Sequence, residues 1–324
     1  MRRLQWLVWN RAERRLRAPW RMLVGTVFFF LVAVATLLVL GPVALAFGIE
    51  FFIGFGPTTQ PLAVNAVLGV VVTAAIVPVG WFLDRRRLAD YGLGIDRQWL
   101  VDCGVGLLIG AAAMTAVVLF GMAGGWIAVV GVQPSADSLG LFGLLVTIFV
   151  IVGIYEELLI RGYLLTNLAE GFRYFEVVGH RTAVALATLL SSGVFGGLHL
   201  ANPNATLLST TVISAAGVML ALGYLYTGEL AIPIGVHITW NVFQGLVYGL
   251  PVSGIELPVT IVATTSQPPT VVSGGAFGPE AGLLGLFGVA VAAFGILVYS
   301  RYQYGMVGVV PQVSLPELRM PSNE

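Results

Sequence analysis

Long apolar stretches alternate along the chain with short polar connections, and this pattern predicts membrane-spanning helices. Eight stretches reach roughly the 20 residues that a helix needs to cross a hydrocarbon core. The connections between them are richer in polar residues, Pro and Gly, and the longest, 250–280, is expected to be an irregular outer loop. The predicted spans are 22–47, 62–83, 103–130, 140–161, 182–199, 206–227, 230–249 and 281–300.

The composition supports a polytopic membrane protein. Of the 324 residues, 57% are hydrophobic and 10% are charged, and the mean hydropathy is +0.92. A soluble domain would carry about 25% charged residues. The single cysteine, Cys103, excludes an intramolecular disulfide and a Cys-rich metal site. The predicted fold class is therefore all-α, a polytopic membrane helix bundle with about eight transmembrane helices.

The 16 basic residues are all arginine, and they fall on one side of the predicted bundle. Seven precede the first span, four lie between the second and third, three lie near the connection of the fourth and fifth, and two follow the last. Since arginine is retained in cytoplasmic connections, both termini are expected to be cytoplasmic. The expected organisation is a basic cytoplasmic or interfacial arm over 1–21, a transmembrane domain over 22–300 and a cytoplasmic tail over 301–324. Because the arm leads directly into a span, we expect it to bind no nucleic acid.

Three charges interrupt the fourth span, namely Glu156, Glu157 and Arg161. A charge inside a membrane segment is costly and usually functional. On a helix, Arg161 lies four residues after Glu157 and can pair with it, which would also suit a purely structural role, whereas Glu156 points elsewhere. Low-dielectric surroundings disfavour the charged form of a free carboxylate and so raise its pKa. A carboxyl group with a raised pKa can take up and return a proton during a reaction. We therefore expect Glu156 to act as a general base.

Two later spans also carry polar side chains. His199 ends the fifth span, and His237 and Asn241 share one face of the seventh. Tilt and bending can bring these side chains to the level of Glu156. Glu156 with His199 could then activate a water molecule, and His237 with Asn241 could donate hydrogen bonds to the oxyanion formed at a carbonyl. Alternatively, Glu156, His199 and His237 could hold a zinc ion with water in its open position.

These motifs resemble those of the CAAX prenyl protease and bacteriocin-processing family (CPBP or ABI) of intramembrane proteases. The family pattern is Glu-Glu-x-x-x-Arg, Phe-x-x-x-His and His-x-x-x-Asn, each on its own transmembrane helix. The resemblance covers about residues 150–250, and it makes 22–300 the expected protease domain. The matching residues are Glu156, Glu157 and Arg161, then Phe195 and His199, then His237 and Asn241.

The resemblance implies an intramembrane endopeptidase that cuts near the C-terminus of a membrane-associated or prenylated protein, in a multi-pass protein of the plasma membrane. It implies that Glu156 and His199 activate water and that His237 and Asn241 form the oxyanion site. It also implies that Glu157, Arg161 and Phe195 support the structure of the site. The expected partners are the lipid bilayer and a membrane-associated or lipidated peptide.

Two other classes of function remain open from the sequence. A proton-coupled secondary transporter also uses intramembrane Glu, His and Arg, although such carriers often contain internal repeats and we find none here. A non-catalytic membrane scaffold or bacteriocin-immunity protein is the other alternative. Such a protein would not need both the water-activating and the oxyanion groups.

Overall fold

The apolar stretches fold as long helices in the computed structural model, which describes residues 7–46, 60–132, 138–175, 177–305, 307–315 and 318. Parts of the predicted arm 1–21 and tail 301–324 lie outside the described residues, as do most of the connections 48–61 and 131–139. The α-helices are α1 (Ala18–Ala46), α2 (Gln60–Pro78), α3 (Arg97–Ala123), α4 (Leu139–Glu157), α5 (Thr166–Phe172), α6 (His180–Leu198), α7 (Leu207–Thr227), α8 (Ala231–Asn241), α9 (Thr270–Ser273) and α10 (Leu283–Tyr304).

Seven helical segments of the described chain are long and apolar enough to cross a membrane. They coincide with seven of the eight predicted spans, which confirms a polytopic helical membrane bundle. The remaining predicted span, 230–249, contains the shorter α8 and a π-helical continuation, Val242–Val247. Ten of the 11 residues of α8 are buried, as expected of a helix that packs inside a bundle.

Glycines allow α3 and α8 to approach closely. A Cβ atom at Gly235 would lie 2.3 Å from the carbonyl oxygen of Cys103, and one at Gly106 would lie 2.4 Å from that of Ile232. No side chain fits at such distances, so the two backbones touch only because both positions are glycine. Small residues are typical of close helix contacts in membranes, where apolar burial alone gives little driving force.

The helices that carry the first and third motifs change their winding at these motifs. The α4 helix continues as the π-helical segment Leu158–Leu165, which leads into α5 without a break. Likewise, α8 passes into Val242–Val247 immediately after Asn241. Wider π-helical turns occur frequently at functional sites. Here one π-helical segment begins directly after Glu157 and contains Arg161, and the other begins directly after Asn241.

The outer connections contain more regular structure than the sequence predicted. The predicted span 103–130 ends early, because α3 stops at Ala123 and Gly125 takes a left-handed φ of 74°. Strand β3 (Ile127–Val132) follows and pairs antiparallel with β4 (Val262–Ser266) in the long loop. The loop that we expected to be irregular is thus tied to the end of α3 by a two-stranded sheet.

The described part of the basic arm packs against the bundle. Within the arm that we expected to be cytoplasmic or interfacial, a hairpin forms from β1 (Trp9–Asn10) and β2 (Arg15–Leu16). Arg21 is fully buried and donates hydrogen bonds to Asp84 at 2.7 Å and to Glu170 at 2.9 Å. Since buried charges require such partners, these contacts fix α1 against α5 and the end of the second span.

The described part of the C-terminal tail lies at the same end of the bundle as the arm. His180, which begins α6, has its Nδ1 atom 2.6 Å from the Ser314 hydroxyl oxygen. The Val310 N–H donates to the Leu225 carbonyl at 2.9 Å. That this end faces the cytoplasm stays a prediction from the arginine distribution.

The contact between α3 and α8 predicts that Gly235→Ala destabilises the protein. The added methyl group would push against the α3 backbone, and overpacking of this kind costs about 1–3 kcal/mol. Thermal unfolding of purified protein in detergent measures the loss. Gly104→Ala on α3 is the matched control, since a Cβ there has no atom within 4 Å, and it should not lower the unfolding temperature. An equal loss in both variants would contradict the proposed contact.

Candidate functional site

A cavity of about 300 Å³ lies between α4, α6, α7, α8 and the long outer loop. Most of its wall is apolar, with side chains such as those of Phe149 and Met219. The four side chains predicted to carry the chemistry all line it. They are Glu156, His199, His237 and Asn241.

Glu156 has one partnered and one unpartnered carboxylate oxygen. Its Oε1 atom accepts a hydrogen bond from the Tyr155 hydroxyl at 2.9 Å. Its Oε2 atom is buried and has no hydrogen-bond partner among the described residues, and it lies 3.7 Å from Nε2 of His237. Buried polar atoms are nearly always hydrogen-bonded, so Oε2 marks a place for water or a substrate group.

Glu157 connects the first motif to the third. Its Oε1 atom accepts from Nη1 of Arg161 at 2.7 Å, so the ion pair predicted from the spacing is present. The same oxygen is 2.8 Å from Nδ1 of His237, which lies 80 residues away in sequence. A histidine whose Nδ1–H is bonded to a carboxylate has its ring orientation fixed. Nε2 of His237 consequently faces Glu156.

Phe195 packs against the polar groups of all three motifs. The Arg161 guanidinium lies over its ring, with the guanidinium carbon 4.4 Å from the centroid. The rings of His199 and His237 meet it edge-on, at centroid distances of 4.9 and 6.0 Å. An aromatic face attracts a cation, so Phe195 helps to hold Arg161 while it also contacts both imidazoles.

His199 follows the last residue of α6 and is half-buried. Its Nδ1 atom lies 2.8 Å from the carbonyl oxygen of Phe195. Because a carbonyl oxygen can only accept, Nδ1 carries a proton, and the neutral ring has Nε2 as its acceptor. Asn241, which lies one turn after His237 on α8, is 6% exposed.

Three further polar residues of the cavity were not found from the sequence, namely Asn202, Ser253 and Glu280. The Asn202 side-chain amide donates to the Ser253 carbonyl at 3.1 Å. The Ser253 N–H and hydroxyl donate to Oε2 of Glu280 at 2.6 and 3.1 Å. No motif marks the long loop, and the available signal was an acidic residue directly before the last predicted span.

Burial raises the pKa of Glu280, because removal from water disfavours the carboxylate form. Hydrogen bonds from Ser253 and Gln244, and the positive charge that His199 carries when it is protonated, act in the opposite direction and only partly offset this effect on the pKa. Glu280 thus joins Glu156 as a second carboxyl group in the wall of the cavity.

The donor set does not fit a zinc centre as arranged. In the part of the chain that the structure describes, no three His, Cys, Asp or Glu side chains are grouped so that they could hold a metal ion. The ligands considered from the sequence were Glu156, His199 and His237. Both histidines bond a protein oxygen through Nδ1, which leaves Nε2 as the ring nitrogen that a water molecule or a metal would use. No step of the reaction proposed for this site passes through a metal.

A known family model matches the central part of the chain. Residues 138–243 match the family model described as type II CAAX prenyl endopeptidase Rce1-like. This segment, about a third of the chain, contains all three motifs, and the match confirms the resemblance found in the sequence. No curated protein matches the chain, and no solved structure matches it. The family supports a peptidase, and the apolar helices support an integral multi-pass membrane protein.

The contrasting contacts of two adjacent glutamates predict different effects on stability. Glu157→Gln should destabilise the protein by about 3 kcal/mol, because it leaves the buried Arg161 without its counter-charge. Glu156→Gln should leave stability unchanged or slightly raised, since it removes an unpartnered buried carboxylate oxygen. Thermal unfolding of the two purified variants compares them directly. Equal unfolding temperatures would show that Glu157 is not the internal counter-charge.

Proposed function

From the family match over residues 138–243, we propose that this chain is an intramembrane endopeptidase of the CAAX type. It hydrolyses a peptide bond near the C-terminus of a membrane-associated or prenylated protein or peptide. The observation that carries the proposal is the unpartnered Oε2 atom of Glu156, which faces the cavity that also contains His199 and Asn241. The apolar cavity wall suits a hydrophobic peptide or lipid group.

The first step is activation of a water molecule held between Glu156 and His199. Glu156 removes a proton through its free Oε2 atom, and Nε2 of His199 accepts the other hydrogen bond of the water. The resulting hydroxide attacks the carbonyl carbon of the scissile bond. Tyr155 holds the opposite oxygen of Glu156, so the carboxylate is already oriented before substrate enters.

The second step is stabilisation of the oxyanion. His237 donates through Nε2–H, and the side-chain amide of Asn241 donates beside it. Because Nδ1–H of His237 is bonded to Glu157, donation from Nε2 requires the imidazolium form, whose charge the carboxylates at 2.8 and 3.7 Å offset. The loss of one such donor typically costs about 3 kcal/mol of transition-state stabilisation.

The third step is release of the products. Protonated Glu156 transfers its proton to the leaving amide nitrogen as the carbon–nitrogen bond breaks. One carboxylic acid and one amine result, and Glu156 returns to its carboxylate form.

We place the enzyme in the plasma membrane with both termini in the cytoplasm, in accord with its arginine distribution.

The proposed roles predict that Glu156→Gln and His199→Ala each abolish peptide cleavage while the fold is retained. Without the base or its partner, the water is no longer activated, and a loss of about 10²–10⁴-fold is expected. Mass spectrometry of membrane peptides from cells with the original or the Glu156→Gln chain would identify the substrate. Cleavage of that peptide by purified protein would then test both variants.

Glu229→Gln is the control for this experiment, because Glu229 accepts from the Gly94 N–H outside the cavity and its loss should not affect cleavage. Full activity of either purified site variant would refute the mechanism. Glu156-dependent solute flux in proteoliposomes without cleavage would favour a carrier. Zinc that copurifies in a 1:1 ratio and is lost with His199→Ala would favour the metal-dependent alternative.

The contact between Tyr155 and Glu156 predicts that Tyr155→Phe lowers kcat on the order of tenfold with little change in KM. The carboxylate would lose the donor that orients it, whereas the apolar wall would be unchanged. Tyr299→Phe on α10 is the matched control, since it also removes a hydroxyl bonded to a carboxylate, that of Asp102 at 2.6 Å. A similar fall in kcat for both variants would contradict a specific positioning role.

A further inference from the structure

Glu280 is a buried carboxylate of the cavity wall that has no arginine partner. The buried Asp84 and Glu157 each pair with an arginine. Asp102 also lacks an arginine partner, but it is not among the residues that line the cavity, and it accepts hydrogen bonds from the hydroxyls of Tyr299 and Tyr304. Glu280 is only 8% exposed, yet no arginine or histidine nitrogen of the described residues lies within 4.0 Å of its carboxylate. A buried carboxylate without a cation nearby is costly. A counter-charge supplied by a ligand would remove that cost.

The outer loop is built tightly around Glu280. Gly278, directly before the turn that carries it, has a left-handed φ of 104°, and a Cβ there would lie 2.1 Å from the carbonyl oxygen of Pro251. Ser253 also takes a left-handed φ of 48°, which is uncommon for a residue other than glycine. Both of its donors then meet the same oxygen, Oε2 of Glu280. The carboxyl group is therefore held at the cavity wall by two segments of the loop.

We propose that Glu280 is the counter-charge of a subsite that binds a lysine or arginine side chain of the substrate beside the scissile bond. This inference rests on the proposed function, and it names the substrate class as peptides with a cationic residue near the cut. The cation would approach Glu280 from the cavity, where Asn202 and Ser253 share the same wall. The loop lies outside the matched segment 138–243, so the family match does not assign this subsite.

The state of Glu280 gives the subsite a pH dependence. Burial raises the pKa of Glu280, so its carboxylate forms at higher pH than that of an exposed glutamate. Lysine stays protonated over this range, and the preference for lysine should increase as the pH rises through the pKa of Glu280. His199, His237 and Glu156 also face the cavity, and their ionisation affects every peptide, so only a comparison with a Glu280 variant isolates its part.

Peptide binding to a non-cleaving chain tests the subsite. The full chain with Glu156→Gln, purified in detergent, is titrated with fluorescent decapeptides that differ at one scanned position, which is lysine, norleucine or glutamate. Norleucine has nearly the length of lysine without its charge. At one position, lysine should bind at least tenfold more tightly than norleucine, and glutamate more weakly than norleucine. Adding Glu280→Gln should reduce the lysine preference to less than twofold.

Two features keep the test independent of the folding of one variant. The order lysine, norleucine, glutamate is measured on a chain that retains Glu280, so it stands even if Glu280→Gln unfolds. Glu229→Gln in the same background removes a carboxylate elsewhere and should leave the order unchanged. Equal binding of the three peptides at every position, or no binding of any, would overturn the subsite.

The outcomes separate this inference from the proposed function. Cleavage that depends on Glu156, by a protein without any lysine preference, would leave the peptidase intact and reject the subsite. A lysine preference that depends on Glu280, in a protein that cleaves nothing, would support the cationic subsite and reject hydrolysis.

Discussion

The site depends on the cost of burying charge in a low-dielectric helix bundle. Arg161 and Glu157 are both fully buried, and neither could remain ionised there alone. One oxygen of Glu157, Oε1, contacts both of its partners. It accepts a hydrogen bond from Arg161 and also lies within hydrogen-bond distance of His237. The pairing leaves Glu156, its neighbour in sequence, without a cationic partner closer than His237 at 3.7 Å. In the proposed mechanism, the pairing of Glu157 is what leaves Glu156 available for proton transfer.

The same constraint organises the end of the bundle where both termini lie. Arg21 and Asp84 are buried and paired, and Glu170 accepts from three arginines, including Arg15 and Arg86. These contacts join the N-terminal hairpin to helices that are far apart in sequence. A basic segment that would otherwise lie at the membrane surface thus becomes part of the fold. It contributes to the packing of the helices and lies away from the cavity.

The outer loop closes the cavity from the opposite end. Strand β4 of this loop pairs with β3. Ser253 and Glu280, which lie elsewhere in the same loop, form part of the cavity wall. The helices supply the residues proposed for bond cleavage, and the loop supplies the groups that we propose to select the substrate. This division follows from the physical properties of the two parts. Helices hold reacting groups rigidly, whereas loops carry the variable polar contacts that distinguish ligands.

The sequence by itself determined the helical membrane fold, the three motifs and the pairing of Glu157 with Arg161, because apolar runs and a spacing of four residues are local properties. The position predicted for the end of α3 was wrong, because two glycines there lead into a strand whose paired residues lie 130 to 139 positions later in the chain. Only the tertiary structure decided that Glu157 also orients His237 and that Glu280 enters the cavity. Both contacts join segments distant along the chain, and such contacts are set by how helices and loops pack, which no local pattern encodes.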